Sequence, residues 1–479
     1  MVKIYEPTWE SLRRISVPQW LDEGKFGIYT HWGIYSVPAY GGCWYPHLMY
    51  RENTEFYKYH VKHYGHPSRF GYKDFIPMFK AENFDPDEWA NLFKKAGARF
   101  AGPVAEFHDG FSMWDSEVNK WNAARMGPMR DVVGELEKAI RKRDMKFVVT
   151  FHHAENWWFY PHMTGYDTSN PQYSGLYGPV HDLEADPEIW DYKNWYKQKK
   201  PSKEYLELWK AKIIEVIDRY KPDLMWFDND LRYIQEKYKR EVLAYYFNKA
   251  VEWNKEVAVL FKSPGLPPGV GIEDLERGRM DSLAYHNWIT DTDIAKRGWS
   301  YVQGVEYKSA TTLIHHLIDN VSKNGYLLLN VGPKANGEIP EKARERLLEI
   351  GRWLEINGEA IYGTSPWLIY GEGPTKLKAK GAFSEWAEEV QFTASDIRFT
   401  VKGTALYAIC LGWPGGGKEI TIKSLKPSPL LLYDYEISSV TMLGIEEELE
   451  WKLTSEGLKV KTPDKKPCEH AYVFKILRE

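Results

Sequence analysis

Six short apolar runs punctuate the first two thirds of the chain: KFGIYTH (25–31), ARFAGPVAEFH (98–108), KFVVTFHH (146–153), DLMWFD (223–228), VAVLFK (257–262) and YLLLNVG (326–332). Successive apolar positions in runs this short predict strands buried on both faces. Between several of them the spacing changes. DEWANLFKKAG (87–97), MRDVVGELEKAIRKRD (129–144) and LELWKAKIIEVIDRY (206–220) repeat apolar residues at i, i+3 and i+4, which predicts helices with one buried face. Strand, helix, strand order implies parallel strands with right-handed crossovers. A closed barrel of this kind needs eight strands. DSLAYHNW (281–288) is a candidate seventh, and no run reads as the eighth. From about Tyr370 the pattern shortens again: ALYAICLGW (405–413), EITIKSL (419–425) and AYVFKIL (471–477), parted by Gly, Pro and Asp turns, predict an antiparallel sandwich.

The polar residues fall where chemistry would need them. Five of the six runs end in a side chain that donates, accepts or titrates: His31, His108, His152 or His153, Asp228 and Lys262, while the sixth carries Asn330. The carboxyl ends of parallel strands form the active-site face of barrels and open α/β sheets alike. In KPDLMWFDND (221–230), alternation places Leu224, Trp226 and Asp228 on one face. Asp223 begins the same run, about 16 Å from Asp228 at roughly 3.3 Å per residue, and so belongs to the opposite, stabilising end. Asp228 is therefore the candidate catalytic carboxylate. A partner is available in GIEDLERGR (271–279), read as a loop after the Lys262 strand, which offers Glu273, Asp274 and Glu276.

Other chemistries find less support. The first strand ends His31-Trp32-Gly33 instead of His-x-His, the pair His152-His153 points to opposite faces, and no Cys/His cluster has ligand spacing, so no metal is expected. GWPGGGKE (412–419) lacks the ending of a phosphate-binding loop and reads as a turn. A metal-free mouth of carboxylates, histidines and aromatics suits glycoside hydrolysis, in which one carboxylate attacks and a second, with raised pKa, protonates the leaving oxygen.

Composition narrows the partners. Aromatic residues make up 15% of the 479 positions, including 21 Trp and 32 Tyr, enough both to fill a large core and to offer faces to sugar rings. The formal net charge of −4 leaves no basic footprint for nucleic acid. The N-terminal MVKIYEPTWESLRR has no apolar leader pattern and no window approaches a membrane span, so a soluble, cytoplasmic chain without membrane contact is expected, with room for a homo-oligomer. Cys43, Cys410 and Cys468 suit neither a disulfide framework nor zinc.

HWGIYSVP (31–38), FHDGFSMW (107–114), WFD (226–228), YLLLNVGPKANGEIP (326–340) and WLEINGEAIYGTSPW (353–367) resemble, in order, the signature blocks of the α-L-fucosidases of glycoside hydrolase family 29. The resemblance spans about residues 7 to 367. It implies a catalytic (β/α)8-like barrel over 1–367, a C-terminal antiparallel β-sandwich over 368–479, and retaining exo-hydrolysis of terminal α-L-fucosyl linkages in oligosaccharides or glycosides, without metal or cofactor. It also implies that Asp228 is the nucleophile and Glu276 the acid/base, with Glu273 the alternative. His31, Trp32, Trp44, His108, His152, Lys262, Trp288 and Trp299 would bind substrate. Two positions depart from the family pattern: Cys43 stands before the Trp-Tyr pair where many relatives have Glu, and Phe107 replaces a frequent sugar-binding His. Both changes remove polar contacts with the glycone. They leave room for a related sugar such as an L-galactoside, or for a sugar-binding protein without turnover.

Overall fold

The computed structural model describes residues 4–181, 200–387, 390–427 and 437–478, with no side-chain description of residues 229 and 230. Eight parallel strands close into a barrel: β1 (Phe26–Thr30), β2 (Phe100–Glu106), β3 (Lys146–Phe151), β4 (Leu224–Phe227), β5 (Ala258–Phe261), β6 (Ile272–Asp274), β7 (Trp288–Asp293) and β8 (Gly325–Val331). β1 pairs with both β2 and β8, so the sheet has no free edge. Every residue of β1, β2, β4 and β8 is buried, as their unbroken apolar runs require.

The crossover helices start where their sequences provide caps. Asp85 accepts from the amides of Asp87 and Glu88 ahead of Pro86–Lys95, and Asp131 accepts from Gly134 ahead of Val132–Arg141. Ser202 and Ser309 do the same for Lys203–Tyr220 and Ala310–Ser322. Each cap satisfies an amide that the helix itself leaves without a partner. The connections β5–β6 and β6–β7 contain no helix.

That gap explains what the apolar pattern misses. β6 is only three residues long and lies inside the 271–279 segment read as a loop. β7 begins where the proposed 281–288 strand ends; residues 281–287 are an irregular lead-in, and the strand itself is WITDTD, apolar only at its first two positions.

Among the described residues, the C-terminal region forms two antiparallel sheets. Its strands are β9 (Ser365–Glu372), β10 (Ile397–Lys402), β11 (Ala405–Cys410), β12 (Glu419–Ile422), β13 (Ile437–Met442), β14 (Trp451–Thr454), β15 (Gly457–Lys461) and β16 (Tyr472–Arg478). Five form one sheet in the order β13-β16-β11-β10-β9, and three form the other in the order β12-β15-β14. The 367/368 divide expected from sequence falls inside β9. Alternation along β11 serves two cores at once. Leu406, Ala408 and Cys410 face the three-stranded sheet, whereas Ala405, Tyr407 and Ile409 join the barrel's hydrophobic core. The five-stranded sheet is thereby packed against the barrel on its other face, and the Trp353 indole donates to the Ala471 carbonyl across that contact at 2.9 Å. No helix among the described residues is long and apolar enough to cross a membrane.

Candidate active site

The carboxyl ends of the barrel strands surround a cavity of about 400 Å³. Strand register decides which side chains meet there. Phe151 pairs with Phe227 and Phe227 with Phe261, so the next residues along, His152, Asp228 and Lys262, emerge side by side. The Asp228 amide still bonds to the Phe151 carbonyl at 3.2 Å, which keeps the carboxylate in register beyond the end of its strand. On β6 the same period of two turns Asp274 inward, where it accepts from the Trp226 indole at 2.7 Å, and brings Glu276 to the cavity two residues later.

One ammonium organises the acids. Lys262 Nζ lies 3.0 Å from Asp228 Oδ1, 2.7 Å from Glu276 Oε2 and 3.8 Å from Asp291 Oδ2. The two oxygens this close to one nitrogen are less than about 6 Å apart, which is within reach of the roughly 5–5.5 Å spacing of the carboxyl groups in retaining glycosidases.

Four carboxyls facing one cation, Asp274 and Asp291 buried and Asp228 and Glu276 partly so, cannot all ionise, and their environments separate them. Burial alone would raise Asp228, but the Lys262 charge and His152, with His108 beyond, outweigh it and hold the carboxyl well below the usual range. Burial pushes Glu276 up to about 7; Asp291 and Asp228 add repulsion, and Lys262 offsets only part of it. Burial likewise pushes Asp274 up to about 6 and Asp291 far above its ordinary value, the latter helped by the Asp274 charge. The mouth thus holds a carboxylate and a carboxylic acid on one lysine.

Each histidine at the mouth is held in a fixed orientation. Burial lowers His152 to about 4 despite the nearby Asp228, so its Nδ1–H donates to Asp228 Oδ2 at 2.8 Å as an uncharged imidazole. His108 Nδ1 donates to the His152 carbonyl at 2.6 Å, which sets its Nε2 3.8 Å from Asp228 Oδ2. His31 is held by Asn330, whose Oδ1 accepts from both the His31 amide and Nδ1, each at 2.9 Å. Asn330 in turn donates to Asp293 and to the Trp299 carbonyl, which fixes its flip state. Burial lowers His31 well below its ordinary pKa. Positive φ at Gly41 and Gly42 lets the loop turn back toward the mouth, where Cys43 and Trp44 line the cavity. The Cys43 thiol is buried and burial raises its pKa strongly; Phe107 packs edge-on to His31 and Tyr35.

The structure brings together most of the residues singled out from sequence, but not all. Asp228, Glu276, His31, Trp44, His108, His152, Lys262 and Trp299 line the cavity. Trp32 does not. His31 takes the inward direction, so Trp32 turns outward, donates to the Lys334 carbonyl at 2.7 Å and packs among Phe79, Phe84 and Trp89. Trp288 begins β7 at the end far from the mouth and donates to the Lys323 carbonyl at 3.0 Å. Glu273 has the opposite parity to Asp274 and Glu276, and lines a separate groove with His286 and Asn287.

Other lining residues escape the sequence reading. Asp291 sits on the unrecognised β7, where its Oδ2 accepts from Tyr29 at 3.0 Å; the alternating TDTD of that strand is the only signal for it. Glu155 follows β3 by a single short turn and lies 3.7 Å from His108 Nδ1. Phe383 and Trp386 reach the rim from beyond residue 368, a region in which sequence shows no catalytic constellation.

Among the described residues one group has metal-ligand geometry: His108, His152 and Asp228 offer ligand atoms within 4.8 Å of one another. Its donors are committed elsewhere. His152 Nδ1 carries the proton it gives to Asp228, and the Lys262 ammonium lies against the other carboxylate oxygen, so a divalent cation would meet a proton and a positive charge.

Comparison with known proteins agrees along the whole chain. A family model described as alpha-L-fucosidase matches residues 2–359, and one described as alpha-L-fucosidase C-terminal domain matches 390–477. The chain is 33% identical to tissue alpha-L-fucosidase of Bos taurus, over 98% of this chain and 91% of that protein, and 32% identical to the Homo sapiens tissue enzyme with the same coverage. The crystal structure of Thermotoga maritima alpha-fucosidase in complex with fucose superposes with a TM-score of 0.77 at 30% identity, covering 99% of this chain and 100% of that one.

Proposed function

The chain belongs to the α-L-fucosidase family, and on that premise we propose that it is a retaining exo-α-L-fucosidase that removes terminal α-L-fucosyl groups from oligosaccharides or glycosides. The observation that carries the mechanism is the Asp228–Lys262–Glu276 arrangement, in which one carboxyl is held ionised and the other is raised to about 7. Asp228 attacks the anomeric carbon and the Glu276 proton passes to the departing glycosidic oxygen, so that no alkoxide has to leave. The bond to the aglycone breaks as the bond to Asp228 Oδ forms, giving a β-linked fucosyl-enzyme. Glu276, now a carboxylate, takes a proton from water as that water displaces Asp228, restoring both groups and the α configuration.

The surrounding residues serve these two steps. Lys262 keeps Asp228 ionised by charge pairing, and His152 fixes its second oxygen. His31 and His108 present ring nitrogens to sugar hydroxyls, while Trp44 and Trp299 supply apolar walls. A cavity of about 400 Å³ suits one sugar ring with its hydroxyl partners and supports attack on a chain end. The test is release of nitrophenol from an aryl α-L-fucoside by the wild type and by Asp228→Gly, with and without azide. The proposal expects an active wild type and an inactive variant that azide restores with formation of a β-fucosyl azide. An active Asp228→Gly would assign the nucleophile elsewhere, and a wild type inactive on fucosides would refute the substrate.

A further inference from the structure

Between the barrel and the C-terminal sheets, residues 381–387 lie along the strand-6 loop like an added edge. The Gly381 amide donates to the Arg279 carbonyl at 2.8 Å, Glu385 to Arg277 at 2.9 Å, and Phe383 to the carbonyl of Glu276 itself at 2.7 Å. The Glu385 side chain anchors the segment from below: it is buried, receives Lys308 and Thr292, and lies 3.4 Å from Arg277 Nη1. The Arg277 guanidinium is in turn layered between Trp299, 4.3 Å away, and Trp386, 5.2 Å away. What this support holds up is an aromatic surface. Phe383 and Trp386 stack on each other, with ring centroids 5.2 Å apart and planes 26° off parallel. They line the cavity mouth, yet remain 37% and 56% exposed.

We propose that Phe383 and Trp386 are the platform that binds the aglycone, stacking on the apolar face of the pyranose ring attached to the departing oxygen. The inference rests on the reading of the site as a fucosidase and adds the side of the cavity from which the leaving group is held. A general acid must stand beside the oxygen it protonates, so the aglycone lies on the Glu276 side. Phe383 is bonded to the Glu276 backbone, which makes this pair the exposed apolar surface met next on that side. Exposed aromatic faces backed by a fixed cation and a buried carboxylate are rigid, and rigid faces bind sugar rings with little loss of freedom. Binding energy gained there is expressed only when an aglycone ring is present.

The test compares kcat/KM on an α-L-fucosyl-galactose disaccharide with kcat/KM on α-L-fucosyl fluoride, whose leaving group has no ring and needs little acid assistance. Trp386→Ala is expected to lower the disaccharide-to-fluoride ratio about tenfold, and Trp386→Phe to recover most of it. An unchanged ratio, or equal losses on both substrates, would overturn the platform and leave the fucosidase reading in place. A wild type that hydrolyses neither substrate would overturn that reading and the platform with it.

Discussion

Two of the charge clusters in this molecule have opposite stoichiometries. Where the Ala310–Ser322 helix meets β10, Asp319 is held by two cations, Lys323 Nζ at 2.7 Å and Arg398 Nε at 2.6 Å. Burial would raise its pKa, but the two partners outweigh burial and hold it far below the usual range. At the mouth the ratio is reversed: Asp228, Glu276, Asp291 and Asp274 share Lys262. The first cluster has more cations than acids, so its one acid stays ionised and the group acts as a clamp. The second has more acids than cations, so protons must be distributed among the acids, and one of them titrates near neutrality. A shortage of counter-charge is what turns a buried ion cluster into acid/base machinery.

The comparison can be broken first at the acid. Glu276→Ala should lower kcat on an aryl or saccharide fucoside by about 10²- to 10⁴-fold. It should also flatten the alkaline limb of the kcat/KM profile. The sign follows from the proposed role: an acid that works protonated gives activity below about pH 7 that is lost as pH rises through that value. Asp228, proposed to work ionised, has a depressed pKa, so the acid limb should lie below the ordinary carboxylate range. A Glu276→Ala enzyme that keeps the limb would place the titrating acid elsewhere.

Removing the shared cation comes next. Lys262→Met strips Asp228 of its principal counter-charge, and the acid limb of kcat/KM should move up by at least about one pH unit. If the limb stays in place, Lys262 is not what keeps Asp228 ionised.

The clamp should respond in the other way. Asp319→Asn leaves Lys323 and Arg398 facing each other in a buried site, at a cost of about 3 kcal/mol in urea unfolding. The pH profile of the folded enzyme should not move. A shifted profile would mean that the two clusters are coupled. The smallest effect is expected at Trp32→Phe, which loses the bond to the Lys334 carbonyl and about 1 kcal/mol of stability, with KM for an aryl fucoside unaltered.

How legible these regions were in the sequence follows from the same physics. Strands that are apolar on both faces and end in a functional group announce themselves, so β1 to β5 and β8, with His31, His108, His152, Asp228 and Lys262, could be read directly. β6 and β7 could not: one is three residues long, the other alternates Thr and Asp, and no helix separates β5 from β6 or β6 from β7. Glu276 was separable from Glu273 only once β6 supplied a parity. Trp32 and Trp288 show the converse failure, since a Trp beside a functional residue points away from it in a strand or stands at the strand's other end. Phe383 and Trp386 gave no signal because their place depends on a backbone contact more than a hundred positions away in the chain.

The most direct measurement of the central claim is covalent. Incubating the protein with 2-deoxy-2-fluoro-α-L-fucosyl fluoride should add one fluorofucosyl group by intact mass, because the fluorine slows both steps while the fluoride leaves without help from an acid. Peptide mapping should then place the adduct on Asp228. An adduct on another carboxylate, or hydrolysis with no adduct detectable under conditions that trap a retaining enzyme, would contradict the assignment of Asp228 as the nucleophile.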